Sequence, residues 1–224
     1  MNKEIKEKLV SQGVEIIGFV DVSMILKNEI VDYPRAIIFA IPLPREFIVS
    51  KYKDIPIERD EYLEREHKIE DLADLLEQYI IDQGYRARSL SEKKNSINGC
   101  ATDGFYYEGV KCGISILPIK TIASYAGMGV IGKNNLLMTN DYGSAIVLAA
   151  VLTDAPVKTD NYTVLMSKCG SCNVCATICP TNALHNHAWT IEGCRDDILD
   201  VSKCCWCLKC MTHCPITLRY AIKG

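Results

Sequence analysis

Two cysteine runs are the part of this sequence able to do chemistry. The segment KCGSCNVCATICPTNAL sets Cys169, Cys172, Cys175 and Cys179 in the spacing CxxCxxCxxxCP, and KCCWCLKCMTHCPIT repeats that spacing with Cys204, Cys207, Cys210 and Cys214. Each copy ends in a proline, Pro180 or Pro215. Thiolates at this spacing suit iron–sulfur cubanes: a tight loop closes three of them on three corners of one cluster, and the fourth, opening the next helical turn, points to the other cluster. The spacing therefore predicts Cys169, Cys172, Cys175 and Cys214 on one 4Fe-4S cluster, and Cys204, Cys207, Cys210 and Cys179 on a second. Structural zinc more often uses paired CxxC knuckles, so the central third cysteine, the CP endings and the duplication favour cubanes. Neither set lacks a cysteine that would leave an iron open, so the pair suits relaying single electrons rather than polarising a substrate. The potentials of such clusters follow from hydrogen bonds to sulfur and from solvent exposure.

The first ligand of the second set has alternatives. Cys204 keeps the repeat spacing; Cys205 is adjacent, and Cys194 reaches the cluster if residues 195–203 fold back. Cys100 and Cys112 lie far off in sequence and read as buried, apolar-behaving thiols. His185, His187 and His213 fall near the cysteines in solvated or supporting roles, and Trp189 and Trp206 read as shields of the clusters against water. His67 belongs to a solvated helix face. No Ser, His and Asp set has a hydrolase context, and the four histidines lack zinc-protease spacing.

The surrounding chain has to position these thiols. Twelve cysteines in 224 residues, behind a charged N-terminus with no apolar run long enough for a signal or membrane span, point to metal or redox chemistry in a reducing cytoplasm. Hydrophobic residues at 48%, charged residues at 24% and a net charge of -3 describe a soluble globular chain without a broad basic face for nucleic acid. Lys3 to Gln12 reads as a helix stopped by Gly13, followed by a strand around IIGFV within Val14 to Val22. AIIFAI, Ala36 to Ile41, reads as a second strand bounded by prolines. Ile69, Leu72, Ala73, Leu76, Tyr79 and Ile80 share one face of a helix between Asp60 and Gln83, with Gly84 as its stop. Pro118 opens a helix, PIKTIASYA, that runs into the glycine-rich stretch AGMGVIGKNN, Ala126 to Asn135. NLLMT and SAIVLAAVLT then read as strands joined by a turn at Asn140 to Gly143.

Gly127, Gly129 and Gly132 formally satisfy GxGxxG, but a helix precedes and a strand follows, the reverse of the dinucleotide context. Two readings of the loop stay open. Bare backbone there could meet a ligand, with Lys133 as an anion contact; alternatively the glycines serve tight packing alone.

The stretch AGMGVIGKNNLLMTNDYGSAIVLAAVLTDAPV followed by CGSCNVCATICPTNAL resembles the epoxyqueuosine reductases and their relatives, strongly over roughly residues 118 to 215 and more loosely in the N-terminal strands. The resemblance implies a cobalamin-dependent reductase related to reductive dehalogenases, with a nitroreductase-like core holding a corrinoid beside two 4Fe-4S clusters that feed it electrons. By the same resemblance Gly129, Gly132, Lys133 and Asn134 lie near that cofactor. The family's aspartate acid is expected a few residues ahead of the loop's helix. Gly113 to Leu117 has no carboxylate, the nearest upstream being Glu108 and Asp103, so no catalytic residue is assigned. The sequence stops ten residues after Cys214, without the helical repeats with which such enzymes hold transfer RNA, so no transfer RNA partner is expected.

The resulting expectation is an α+β protein: a mixed-sheet, nitroreductase-like core over 1–160, suited to binding a cofactor, and a ferredoxin-like double-cluster module over 161–224. Cobalamin, or in second place flavin, is the expected organic cofactor. One functional expectation is a reductase acting on a small molecule; the other is a non-catalytic carrier or activator delivering electrons to a partner protein. A third, a redox or iron sensor, carries less weight. Electron donor and acceptor proteins are the expected partners, with no membrane association, and a homodimer is expected by analogy with nitroreductase-like cores.

Overall fold

The computed structural model describes residues 1–23, 32–57, 60–91, 96–97, 100–101, 119–160, 162–167 and 169–222, with backbone alone at 96–97 and 100–101. Asp103, Glu108, Cys112, Gly113 to Leu117 and Pro118 lie outside the described residues, as does the Cys100 side chain. The chain begins α1 (Asn2–Ser11), β1 (Ile16–Asp21), β2 (Arg35–Pro42), α2 (Arg45–Tyr52), α3 (Glu61–Asp82) and β3 (Ala87–Ser89). It continues β4 (Ser96–Ile97), β5 (Cys100–Ala101), α4 (Ile119–Tyr125), β6 (Val130–Ile131), β7 (Leu137–Met138) and β8 (Ile146–Thr153). Short helices α5 (Val174–Ile178), α6 (Lys209–Thr212) and α7 (Pro215–Ile222) complete it, with two 3-10 turns between α5 and α6. The fold is thus a mixture of helix and sheet.

Contacts divide the chain into two compact units. The first comprises Met1–Ile41, Leu63–Met128 and Val147–Thr163. Its frame is a four-stranded sheet in the order β1-β2-β8-β3. β1 pairs antiparallel with β2 from Ile16 opposite Ala40 to Asp21 opposite Arg35, and β3 pairs antiparallel with β8. The two inner strands carry unbroken apolar runs, AIIFAI and IVLAAVL, because both their faces are covered; an alternating pattern would mark a sheet with one wet face. Every residue of β2 from Ala36 to Pro42 is buried. Helix α3 buries Ile69, Leu72, Ala73, Leu76 and Ile80, the face expected from its spacing, and the chain leaves it at Gly84 with φ +86°. Tyr79, expected on that face, sits at its edge under the Lys8 ammonium, 4.5 Å from the ring centroid. Arg35 donates to the Asp154 and Ala155 carbonyls at 3.0 and 3.1 Å, which holds the TDAP turn after β8.

The second unit comprises Pro42–Tyr62, Gly129–Ile146 and Val164–Gly224. Where the sequence pattern suggests one boundary at residue 160, contacts gather α2 and the glycine-rich segment with the cysteine runs. Polar bonds inside this unit give the reason. Tyr220 donates to the Leu43 carbonyl at 2.8 Å, Lys209 pairs with Asp54 at 3.3 Å, and Ser144 and Thr217 hydroxyls meet at 3.0 Å. Gly143, with φ +57°, lies so close to α7 that a Cβ would stand 2.6 Å from the Thr217 backbone.

One expected pairing is corrected. NLLMT contributes β7, but β7 pairs with β6, Val130 opposite Met138, and β8 joins the four-stranded sheet. The turn at Asn140–Gly143 carries only a bridge from Thr139 to Gly143, so it redirects the chain instead of closing a hairpin. Helix α2 and strand β3 are not legible in the sequence; α2 buries only Phe47 and Ile48, too few apolar positions to declare a period.

Candidate metal centre

The first cysteine loop turns tightly at its start. The Cys172 N–H bonds the Cys169 carbonyl at 2.9 Å around Gly170, whose φ of +51° favours glycine. Helix α5 then carries Cys175, and the chain leaves it extended at Cys179. In the second loop the left-handed positions are Trp206 and Leu208, φ +53° and +60°, ahead of α6. Cys214 leads directly into α7 through Pro215, as the spacing rule expects. Cys179 does not: after Pro180 the chain makes a turn with Asn182 at φ +52°.

Thiols of the two loops lie close to one another. One cleft is lined by Cys169, Cys172, Cys175 and Cys214, together with Lys133 and Asn134. Burial pushes the Cys175 thiol up, and the neighbouring Cys169, Cys214 and Cys172 add to that against a lowering backbone hydrogen bond from Ala176. Cys210 is pushed up to about 12, first by burial and then by Cys207, Cys175, Cys204 and Cys179. Cys207 is raised by burial and by Cys205 and Cys179. Burial acts to raise Cys179 too, but hydrogen bonds from Thr181, Ala183 and Leu184 outweigh it and hold that thiol below its ordinary value. Its sulfur accepts from the Ala183 N–H at 3.3 Å.

Burial and neighbouring thiols make Cys175, Cys207 and Cys210 resist ionisation, and a cation beside them relieves that cost. Among the described residues no three Cys, His, Asp or Glu side chains close on a point as one metal ion would require. Tetrahedral zinc needs its sulfurs about 3.8 Å apart, whereas a cubane is gripped at separate iron corners. The donor set fits iron–sulfur clusters better than single ions.

Cys204 is half-buried and not in a disulfide. Cys205 is exposed and touches Cys207. Cys194 is disulfide-bonded, and its N–H bonds the Asp197 carboxylate at 3.1 Å, so it is not a free donor. Trp189 is buried, but Trp206 is 74% exposed and faces water, a departure from the expected shield, at a left-handed backbone position. His213 meets Tyr52 at a tilt of 59°, ring centroids 4.9 Å apart, with Nδ1 3.1 Å from the Lys209 carbonyl.

The glycine-rich segment serves the cysteine loops. A Cβ at Gly129 would stand 2.3 Å from the Met138 carbonyl oxygen, and one at Gly132 would stand 2.8 Å from Asn134 Oδ1. Gly129 is thus needed by the β6–β7 hairpin itself, whereas at Gly132 only side chains stand in the way. The Lys133 ammonium donates to the Gly170 and Cys172 carbonyls at 2.8 and 3.2 Å. Asn134 donates through Nδ2 to the Cys210 carbonyl at 3.3 Å, while its Oδ1 accepts from the Leu136 N–H. Sequence reasoning missed these bonds and the Ser144–Thr217 pair. The available signal was the polar trio Lys133, Asn134 and Asn135 in a stretch otherwise made for burial.

A 4Fe-4S binding domain model matches residues 162–185, which span the first cysteine run. The chain is 44% identical to the epoxyqueuosine reductase of Listeria monocytogenes over 63 residues, 28% of this chain and 16% of that protein. It is 36% identical to that of Lactococcus garvieae over 97 residues, 43% of this chain and 26% of that protein. In this region the chain is thus similar to the epoxyqueuosine reductases. The aligned segments span about a quarter or less of the curated relatives they match. The Bacillus subtilis epoxyqueuosine reductase structure shares the fold, with a TM-score of 0.57 at 20% identity over 96% of this chain and 65% of its own. A catabolic reductive dehalogenase in complex with 3-bromo-4-hydroxybenzoic acid does so with a TM-score of 0.68 at 18% identity, over 95% of this chain and 31% of its own. Among the described residues no helix is long and apolar enough to cross a membrane.

Proposed function

We propose that this chain is an iron–sulfur reductase passing electrons one at a time through two 4Fe-4S clusters. Cys169, Cys172, Cys175 and Cys214 hold one; Cys204, Cys207, Cys210 and Cys179 hold the other. The observation that supports the reading is the company that the last thiol of each run keeps. Cys214 joins the first loop's three thiols in one cleft, and Cys179 acts on the Cys207 and Cys210 thiols. Interleaving of this kind belongs to two-cluster electron carriers. The electrons go to a corrinoid, or in second place a flavin, held by a nitroreductase-like first unit over much of residues 1–160, and from it to a small molecule. The protein works in the cytoplasm, as a homodimer.

A second reading has its own support. Lys133, Asn134, Gly129 and Gly132, expected beside an organic cofactor, are engaged by the cysteine loops and by Met138. A carrier that hands cluster electrons to a partner protein needs no more than that.

Anaerobic purification with iron, sulfide and cobalt measured, followed by spectra after addition of cobalamin or flavin, separates the two. About eight irons per chain with stoichiometric corrinoid or flavin supports the reductase. The same iron with no organic cofactor bound supports the carrier, and about two zinc atoms with no iron removes both.

A further inference from the structure

Lys133 is 9% exposed and lines the cleft shared by Cys169, Cys172, Cys175 and Cys214. Its ammonium is fixed by the carbonyls of Gly170 and Cys172, both inside the first cysteine loop. Carbonyls orient a cation without cancelling its charge, and among the described residues Lys133 has no carboxylate partner. The lysines that flank the second set are placed otherwise. Lys203 is paired with Asp200 at 2.8 Å and Lys209 with Asp54 at 3.3 Å. The side chain that reaches the second loop from the same hairpin is the neutral Asn134.

A cubane bound by four thiolates already carries net negative charge, and taking up one electron makes it more negative by one. A buried, uncancelled ammonium a few ångströms from such a centre favours the reduced state, and more strongly than an exposed one because little water screens it. Building on the two-cluster reading above, we infer that Lys133 is a positioning residue that raises the reduction potential of the first cluster above that of the second. An electron entering the pair then comes to rest on the cluster of Cys169, Cys172, Cys175 and Cys214. The step is outer-sphere: one electron supplied by an added reductant, no bond made or broken, no proton required.

The test is a potentiometric titration of the full chain, loaded anaerobically, with dithionite as reductant and the reduced clusters followed by electron paramagnetic resonance. The native protein should give two one-electron steps. Lys133→Gln keeps a donor for one carbonyl but removes the charge, and should move one step alone to lower potential, by tenfold or more in its equilibrium constant, ~59 mV for one electron. Lys133→Arg should return that step toward its native position. Steps that stay put in fully loaded Lys133→Gln protein, or that move equally, overturn the inference and leave the two-cluster reading intact. If Lys133→Gln holds half the native iron while Lys133→Arg holds all of it, the charge itself is needed by the first cluster, which supports the assignment. If both variants lose a cluster, Lys133 is only scaffold and the inference is wrong. Native protein without iron removes the two-cluster reading, and this inference with it.

Discussion

The two cysteine loops have one spacing and two different backbones. The first turns at Gly170 and is tied to the β6–β7 hairpin by the Lys133 ammonium; the second turns at Trp206 and Leu208 and receives a single amide bond from Asn134. The spacing rule speaks for the thiols alone, because what a cubane demands is sulfur at its corners. How the peptide between them gets there, and which charge stands behind it, is left to local sequence. The first loop uses glycine where φ is positive and places none of its large side chains there. In the second loop two bulky residues accept a conformation that costs roughly 1–2 kcal/mol each, and one of them, Trp206, is turned out to solvent.

The largest test of the comparison is ligand exchange between loops. Cys214→Ala, although in the second run, should cost the first loop's cluster, and Cys179→Ala the second's. Each should halve the iron from about eight to about four per chain, measured after anaerobic reconstitution. Cys205→Ala and Cys194→Ala should leave it unchanged. Loss of iron in Cys205→Ala with retention in Cys204→Ala would transfer the ligand role between those neighbours.

Next comes the pH response of the metal-free protein. The Cys210 thiol ionises near 12 in the fold against an ordinary 9.0. The raised value contributes stability that is fully present below pH 9, where folded and unfolded thiols are both protonated. Above it only the unfolded chain releases the proton, so stability falls as pH climbs from 9 toward 12. The loss is on the order of 1.4 kcal/mol per pH unit over that window. Denaturant midpoints between pH 8 and 11 should show it, and Cys210→Ser should flatten the slope more than Cys175→Ser. Equal flattening would mean that the two loops bury their third thiols alike.

The hairpin that serves both loops offers a third test. A methyl at Gly129 meets the Met138 carbonyl oxygen at 2.3 Å, and backbone cannot step aside as a side chain can. Gly129→Ala should therefore destabilise by about 2–3 kcal/mol and lower cluster retention in both loops together. A change confined to one loop would uncouple them from the hairpin. The smallest effects are at the turns themselves. Gly170 has open space for a Cβ, so Gly170→Ala should cost only the left-handed backbone, ~1 kcal/mol, and Leu208→Gly should gain a similar amount in chemical denaturation.

Much of the scaffold is legible in the order of the amino acids. Helix α1, strands β1 and β2, helix α3 and the long strand β8 stand where periodicity and apolar runs indicate, because each makes its case within its own ten or twenty residues. The two-residue strands β6 and β7, the short β3 and helix α2 carry too few side chains to show a period, and pairing partners outside their own sequence decide what they become. At the site the same divide recurs. Gly129 and Gly132 read as tight positions, but whether a ligand or Met138 fills the space beside them depends on a residue six or more places away.

What the sequence determined by itself is the chemistry: eight thiols in a doubled, proline-ended spacing name their element, because iron–sulfur ligation depends on residue type and on distances along the chain. Tertiary structure alone decided what Lys133 and Asn134 hold, and that Trp206 faces water. Those are matters of through-space distance and burial, and residues dozens of positions apart acquire them only when the chain has folded.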